Sequence, residues 1–299
     1  MTARLGHRGA ALVLVLLITA AMTAMIAEII STVHGQLNRT SNFIEGQKAA
    51  QAAEGGIELA LRYLNTLSKD YTFLGKESFA APVDDMLLEV SVEDESGKLQ
   101  ANSIIFPNGE VNEAAYGSYR SLLGTLGMEL FLSETLADWL DMDDTARSGG
   151  AESQGYYSKL PESYAPKNGR LDTIGELGLV KGYERGGVER LGRFLTVYSD
   201  GLVNINTAPK EVLMALSEEI TPEMAERVIE RRNEKPFADA SGIRAVGGFE
   251  TLVFSLQGRI KVKSDIFRVR SRAVSKGVVR EVEAVVRTGS KKILYWRAR

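Results

Sequence analysis

One uninterrupted apolar run near the start of the chain limits its possible architectures more than any other feature. After MTARLGHRG, the segment AALVLVLLITAAMTAMIA carries no charge from Ala10 to Ala27, and Glu28 ends it. In a helix rising ~1.5 Å per residue this run reaches about 27 Å, close to the ~30 Å hydrocarbon core of a bilayer. A secretory signal would be removed at a small-x-small site after its apolar core. No A-x-A occurs between Thr19 and Glu28. Arg4 and Arg8 precede the run, with His7 between them, and the first arginine or lysine after it is Arg39. That asymmetry keeps the N-terminus in the cytoplasm and sends the remainder across the membrane. The sequence therefore predicts a retained anchor and an extracytoplasmic body.

The function of that body is narrowed by what it lacks. The 299 residues, 44% apolar and 25% charged, suffice for one large domain or two ordinary ones. There is no cysteine, and the two histidines are His7 and His34. Thiolate nucleophiles, Ser-His-Asp triads and His-ligated zinc are thus excluded from the body, and no enzymatic activity is expected. A formal net charge of -3 offers no basic excess for nucleic acid.

Hydrophobic periodicity supplies the elements. The apolar run continues as a helical pattern through Glu28–Leu67, where Ile57, Leu61 and Leu64 share a face with Ala53 and Ala60. Gly55-Gly56 marks a kink or a close packing contact. Leu88, Val90 and Val92 alternate with Glu89, Ser91 and Glu93, as in a half-buried strand. The turn Glu95–Lys98 and a short run over Leu99–Ile105 follow. Helices are expected over Tyr116–Leu126 and Leu130–Trp139, over Thr173–Leu179, and after Thr207 and Thr221. Strands return in DIFRVRSRAV and VVREVEAVVR, with Ile293–Trp296 as a last one. Arg268, Arg270 and Arg272 are read as a solvent face, as are Glu281 and Glu283 on the next strand. The order implies a helical domain inserted into a small α+β head.

Two motifs carry possible chemistry. Val203–Phe237 resembles a helix-hairpin-helix, whose glycine hairpin holds phosphate on backbone N–H groups. Its connection here is Ser217-Glu218-Glu219-Ile220-Thr221, without glycine and with two acids, which favours a packing hairpin. In DWLDMDDTARSGGAE, Asp141, Asp143 and Thr145 stand at relative positions 1, 3 and 5, and Glu152 at 12. That is the oxygen-ligand spacing of a calcium loop, although Ala146 replaces the turn glycine at position 6. Spacing alone leaves a hard-cation site and a solvated acidic loop both open.

The basic leader ending in Gly9 and followed at once by an apolar helix resembles the class III signal of type IV pilins and type II secretion pseudopilins. DESGKLQANSI (94–104), ADWLDMDDTARSGGAESQGYY (137–157), GELGLVKGYE (175–184), VNINTAP (203–209) and the terminal YWR (295–297) resemble the minor pseudopilin K family of type II secretion systems. The resemblance implies a pseudopilin fold: a long, partly transmembrane N-terminal helix on a small antiparallel sheet, with a large inserted α-helical domain. The expected organisation is a leader over 1–9, a transmembrane segment over 10–27 and pseudopilin helix with first strands over 28–104. The insert then covers 105–258 and the last strands of the head 259–299. The resemblance further implies cleavage by prepilin peptidase between Gly9 and Ala10, and methylation of Ala10. It implies an inner-membrane anchor with a periplasmic body, and a tip complex with minor pseudopilins I and J that caps and initiates the pseudopilus. Contacts with the outer-membrane secretin or secreted cargo belong to the same expectation. Calcium is associated with such domains, which favours a structural ion at Asp141, Asp143 and Glu152. Pilins usually carry glutamate at the fifth mature position, where this chain has Leu14. That substitution suits a subunit at the tip, with no neighbour above to neutralise an acid. An anchored helix-hairpin-helix DNA-binding protein of the competence type is the alternative.

Overall fold

The computed structural model describes residues 6–66, 75–290 and 292–299. Leader residues 1–5, and Leu67 at the end of the expected helix, lie outside the described residues. Helix α1 (Gly6–Thr66) has 61 residues, about 90 Å at 1.5 Å per residue. Its apolar N-terminal part, with mean hydropathy 2.5, is long enough to cross a membrane and touches nothing else in the fold. Burial begins at Glu45 and continues through Ala49, Ala53, Ile57, Ala60 and Leu64. These positions lie one or two turns apart, so the small residues form a single stripe against the sheet.

The sheet is antiparallel, in the order β1 (Lys76–Val83), β2 (Met86–Asp94), β7 (Ile266–Ser275), β8 (Val278–Arg287), β9 (Lys292–Ala298). Its inner face presents Leu88, Val90, Val92, Val269, Ala273, Val282 and Ala284 to α1, and together they form one core. Gly56 provides the close approach: a Cβ there would meet Ser271 Oγ at 2.1 Å and Val90 Cγ2 at 3.0 Å. Gly55 beside it faces open space. Close packing, not a kink, is the reason for the glycine, since α1 runs through both positions without a break.

Between β2 and β7 lies a helical unit with its own core, drawing residues from Leu99 to Ile260. It contains α2 (Glu113–Thr125), α3 (Leu132–Leu140), α4 (Arg185–Leu191), α5 (Lys210–Ala215) and α6 (Pro222–Glu234). Two short parallel pairs tie it together, β3 (Leu99–Gln100) with β4 (Leu195–Thr196), and β5 (Val203–Asn204) with β6 (Ile260–Lys261). The expected helix over Thr173–Leu179 is a 3-10 helix over Ile174–Leu179, and most of Leu99–Ile105 is likewise a 3-10 turn.

Head and insert are joined by buried polar groups. Asp94 accepts from Ser96 N–H at 2.8 Å, Asn204 Nδ2 at 2.9 Å, and the hydroxyls of Thr207 and Ser264 at 2.6 Å each. Glu95, fully buried, accepts from Lys98 Nζ at 3.0 Å and Arg268 Nε at 2.7 Å, and from the Thr196 hydroxyl. Burial alone would raise the Glu95 carboxyl, but Lys98 and Arg268 outweigh it and hold the group at about 2. The arginine row is therefore not a plain solvent face. Arg268 is covered, lies over the Tyr198 ring and also pairs with Glu283, because the insert closes over that end of the strand. Arg270 reaches Glu283 and Arg272 reaches Glu89, both half-exposed.

Candidate functional site

The acidic loop begins where α3 ends. Helix α3 is buried on every residue from Leu132 to Leu140 except Glu134, so its last turn carries Asp138 into the interior. That carboxylate organises the loop: it accepts from the backbone N–H of Arg147 at 3.2 Å and of Ala151 at 2.8 Å, and from Arg147 Nη1 at 2.7 Å. Gly150 is needed for this fold-back, because a Cβ there would lie 1.9 Å from Asp138 Oδ2. Arg147 also pairs with one oxygen of Asp141, the residue that ends the helix.

A group of oxygens is left over. Asp141 Oδ1, both carboxylate oxygens of Glu152 and Asn168 Oδ1 are buried without a hydrogen-bond partner. A buried acceptor without a donor costs about 1–3 kcal/mol, more when charged. Burial, and then Asp138 and Asp141, push the Glu152 carboxyl up to about 7. Burial likewise raises Asp141 despite Arg147, with Asp143 and Asp138 adding to the effect.

Asp141 and Glu152 thus come into one electrostatic cluster, as their spacing suggested. Asp143 lies close enough to Asp141 to raise it, but is exposed, and its Oδ1 accepts from Thr145 N–H at 2.7 Å. Among the described residues no three His, Cys, Asp or Glu side chains already converge as a metal cage. Reading the sequence as a calcium loop missed Asp138 and Asn168. Asp138 had a signal, being an acid inside an apolar helical turn. Asn168 had none within the loop spacing, since it reaches back to Asp143 and Asp144 from the far end of the loop.

Two further sites were expected at the N-terminus. Gly9 and Ala10 lie in the first turns of α1, exposed and with nothing packed against Gly9. Leu14 is 60% exposed on the free part of the helix.

Family models described as "Type II secretion system (T2SS), protein K" match residues 97–200 and 203–262. The type II secretion system protein K of Pseudomonas aeruginosa is 31% identical over 254 residues, covering 78% of this chain and 75% of the relative. The chain belongs to the type II secretion system protein K family. The protein K of Pectobacterium carotovorum is 28% identical, over 81% of this chain and 80% of the relative. One chain of the GspK-GspI-GspJ complex from the enterotoxigenic Escherichia coli type 2 secretion system shares the fold, with TM-score 0.71 and 19% identity. That match covers 87% of this chain and 99% of the other. The long helix, antiparallel sheet and inserted helical unit are thus the α+β pseudopilin-like fold of a protein K, and the chain is a minor pseudopilin of type II secretion. The competence-type alternative has no support in the hairpin of this chain. Lys210 pairs with Glu226, and Arg232 is buried against the carbonyls of Ile205 and Ala208. Arg231 lies over the Phe237 ring, and Glu218 and Glu219 stand exposed at the turn. VNINTAP serves packing: Asn204 and Thr207 hold Asp94, while Asn206 bonds both backbone groups of Phe237.

Proposed function

We propose that this chain caps and initiates the periplasmic pseudopilus, at its tip and in complex with minor pseudopilins I and J. The observation that carries the reading is the division of α1. Its membrane part is free on all sides for packing against other pseudopilin helices, while a bulky helical unit crowds the head at the other end. A subunit stacked above would have to clear that unit; nothing hinders subunits from joining below. The name of the structural relative, a GspK-GspI-GspJ complex, agrees with such partners. Prepilin peptidase cleaves between Gly9 and Ala10, Ala10 is methylated, and the anchor stays in the inner membrane. The secretin and secreted cargo are contacts of the exposed tip. Co-expression of the full chain with minor pseudopilins I and J, followed by detergent extraction and affinity purification, is expected to yield a ternary complex whose K subunit begins at Ala10. Purification of K alone, or a mature chain starting beyond Glu28, overturns the reading.

The oxygens left without donors suit a hard cation, and calcium is the ion proposed. Asp141, Glu152 and Asn168 would hold it, with Asp143 at the solvent side and Asp138 bracing the loop. The ion would supply the positive charge that Arg147 gives to Asp138 and Asp141 but not to Glu152. A ligand bound only by the folded state stabilises it by about 2.7 kcal/mol at a hundredfold excess over Kd. Chelator should therefore lower the melting temperature of the wild type, and Glu152→Gln should abolish the response. A melting curve indifferent to calcium in the wild type removes the ion.

A further inference from the structure

A cavity of about 510 Å³ opens on the insert, and neither Asp138, Asp141 nor Glu152 lines it. Ile104, Leu195 and Leu216 contribute apolar wall, and Phe106, 46% exposed, borders it. Inside stands Arg259, half-buried, its Nη2 donating to Ser118 Oγ at 2.6 Å and Ala114 O at 3.3 Å. Its Nε and Nη1 find no acceptor, and the guanidinium has no carboxylate partner among the described residues. Burial accordingly lowers its pKa with no opposing charge to offset the effect. Arg268 and Lys98, by contrast, are buried with carboxylates, Glu95 and Glu283 for the one and Glu93 and Glu95 for the other, while the buried Arg232 rests on two backbone carbonyls and lies outside this cavity.

The remaining polar groups around the cavity point the same way. Asp200, the acid on its lining, is taken by Lys261 at 2.9 and 3.1 Å. Arg170 lines it too, exposed and without an ion pair among the described residues. The hydroxyl of Ser199, also on the lining, is buried with no partner. Two guanidinium groups without carboxylate partners and apolar walls define what fits: one compact anion on an apolar stem.

We propose that this cavity seats an acidic side chain of an extended polypeptide partner, with the carboxylate on Arg259 and a flanking apolar residue against Phe106. A carboxylate oxygen can accept from a donor that Arg259 leaves open, and a charge-assisted bond of this kind is about twice as strong as a neutral hydrogen bond. The cavity lies within the ~300–1,000 Å³ range of ligand sites, room for one side chain and part of its neighbours. A polyanion is disfavoured by the net charge of -3 on the chain.

The test is affinity selection by the full chain in non-ionic detergent. The probes are two libraries of acetylated, amidated pentapeptides with random flanks, one with central glutamate and one with central glutamine. The glutamate library should be recovered at least tenfold better. That preference should vanish in Arg259→Gln and weaken in Arg170→Gln and Phe106→Ser. Equal recovery of the libraries by the wild type, or a glutamate preference that survives Arg259→Gln, overturns the proposal. Should Arg259→Gln not fold, the double variant Phe106→Ser/Arg170→Gln decides, because both residues are exposed: unchanged selection by it overturns the proposal.

Discussion

The adjacent glycines of α1 offer a measurement in which two identical substitutions should act in opposite directions. Both lie mid-helix, so replacing either with alanine removes the same conformational penalty, about 1 kcal/mol in favour of the folded state. At Gly55 nothing lies within 4 Å of the new Cβ, and the gain is kept. At Gly56 the Cβ would overlap Ser271 Oγ at 2.1 Å, with Val90 Cγ2 at 3.0 Å and Ser271 Cβ at 3.1 Å. The hydroxyl can turn without losing a bond, since it has no partner. The two carbons cannot yield so easily, because Val90 and Ser271 are both fully buried under the helix. Overpacking of this kind costs about 1–3 kcal/mol. The propensity gain cancels in the difference between the variants, so Gly55→Ala should exceed Gly56→Ala in stability by that same ~1–3 kcal/mol. At about 2–4 °C per kcal/mol, the melting temperatures should differ by several degrees, with Gly55→Ala above the wild type and Gly56→Ala at or below it. Gly56→Val should fall lower still. Thermal unfolding of the full chain in detergent, followed by tryptophan fluorescence and circular dichroism, gives the order. Equal melting temperatures for the two alanine variants would refute the argument that Gly56 exists for close approach.

Other expectations concern the anchor, acid and DNA. The leucine, valine and isoleucine residues of Ala10–Ala27 favour insertion by about 2.4–4.8 kcal/mol, and an acid opposes it by up to the ~2.5–3.5 kcal/mol of the helix centre, less towards the end where Leu14 lies. Leu14→Glu should therefore impair membrane insertion or tip-complex formation while Leu14→Ile should not, as read by membrane fractionation and co-purification. On acidification, Glu95 and Glu45 should both cost stability. Lys98 and Arg268 hold Glu95 at about 2 against its burial, and the Ser275 hydroxyl and Lys276 hold Glu45 at about 2. A depressed carboxyl stabilises fully above its unfolded value near 4.5 and loses that contribution as pH falls towards 2. Glu95→Gln should cost stability at pH 7, but less than the ~3–5 kcal/mol of a fully broken buried pair, because Arg268 keeps Glu283 and Lys98 keeps Glu93. It should also flatten the acid limb, and a limb unchanged in slope would count against this pairing. Duplex DNA should not bind measurably at physiological salt, and a salt-sensitive shift lost on neutralising Lys210 would contradict the hairpin assignment.

What the sequence made legible follows from how local each signal is. Strands β2 and β7 alternate because each has one face on α1 and one outward, whereas β8 alternates only until Ala284–Val286, which are buried in succession; the stripe of Ala53, Ile57, Ala60 and Leu64 is a helical period against the same sheet. Strand β1 escaped notice: KESFAAPV is an edge strand with most positions exposed, so no alternation marks it. Helix α4 escaped because two glycines, Gly186 and Gly187, occupy its first turn. The turn Glu95–Lys98 looks solvated in sequence, yet it is buried; its partners Thr196 and Arg268 are far along the chain and no spacing rule connects them. The acidic loop was half legible for the same reason. Its carboxylates are close in sequence, whereas Asn168 is contributed from beyond it.

One consequence lies in the register of β2 against β7. Asp94 sits opposite Phe267, so the chain leaves the sheet and re-enters it on neighbouring strands, about 5 Å apart. To the sheet, everything from Glu95 to Asp265 is a hairpin loop. A loop that long costs only a little more closure entropy than a short one, and the insert repays it by folding on a core of its own. The head could therefore acquire, enlarge or exchange its insert without any strand changing its neighbour. The clasp at Asp94 and Glu95 is then what turns a tolerated loop into a fixed appendage, aimed in one direction from the end of a 61-residue rod.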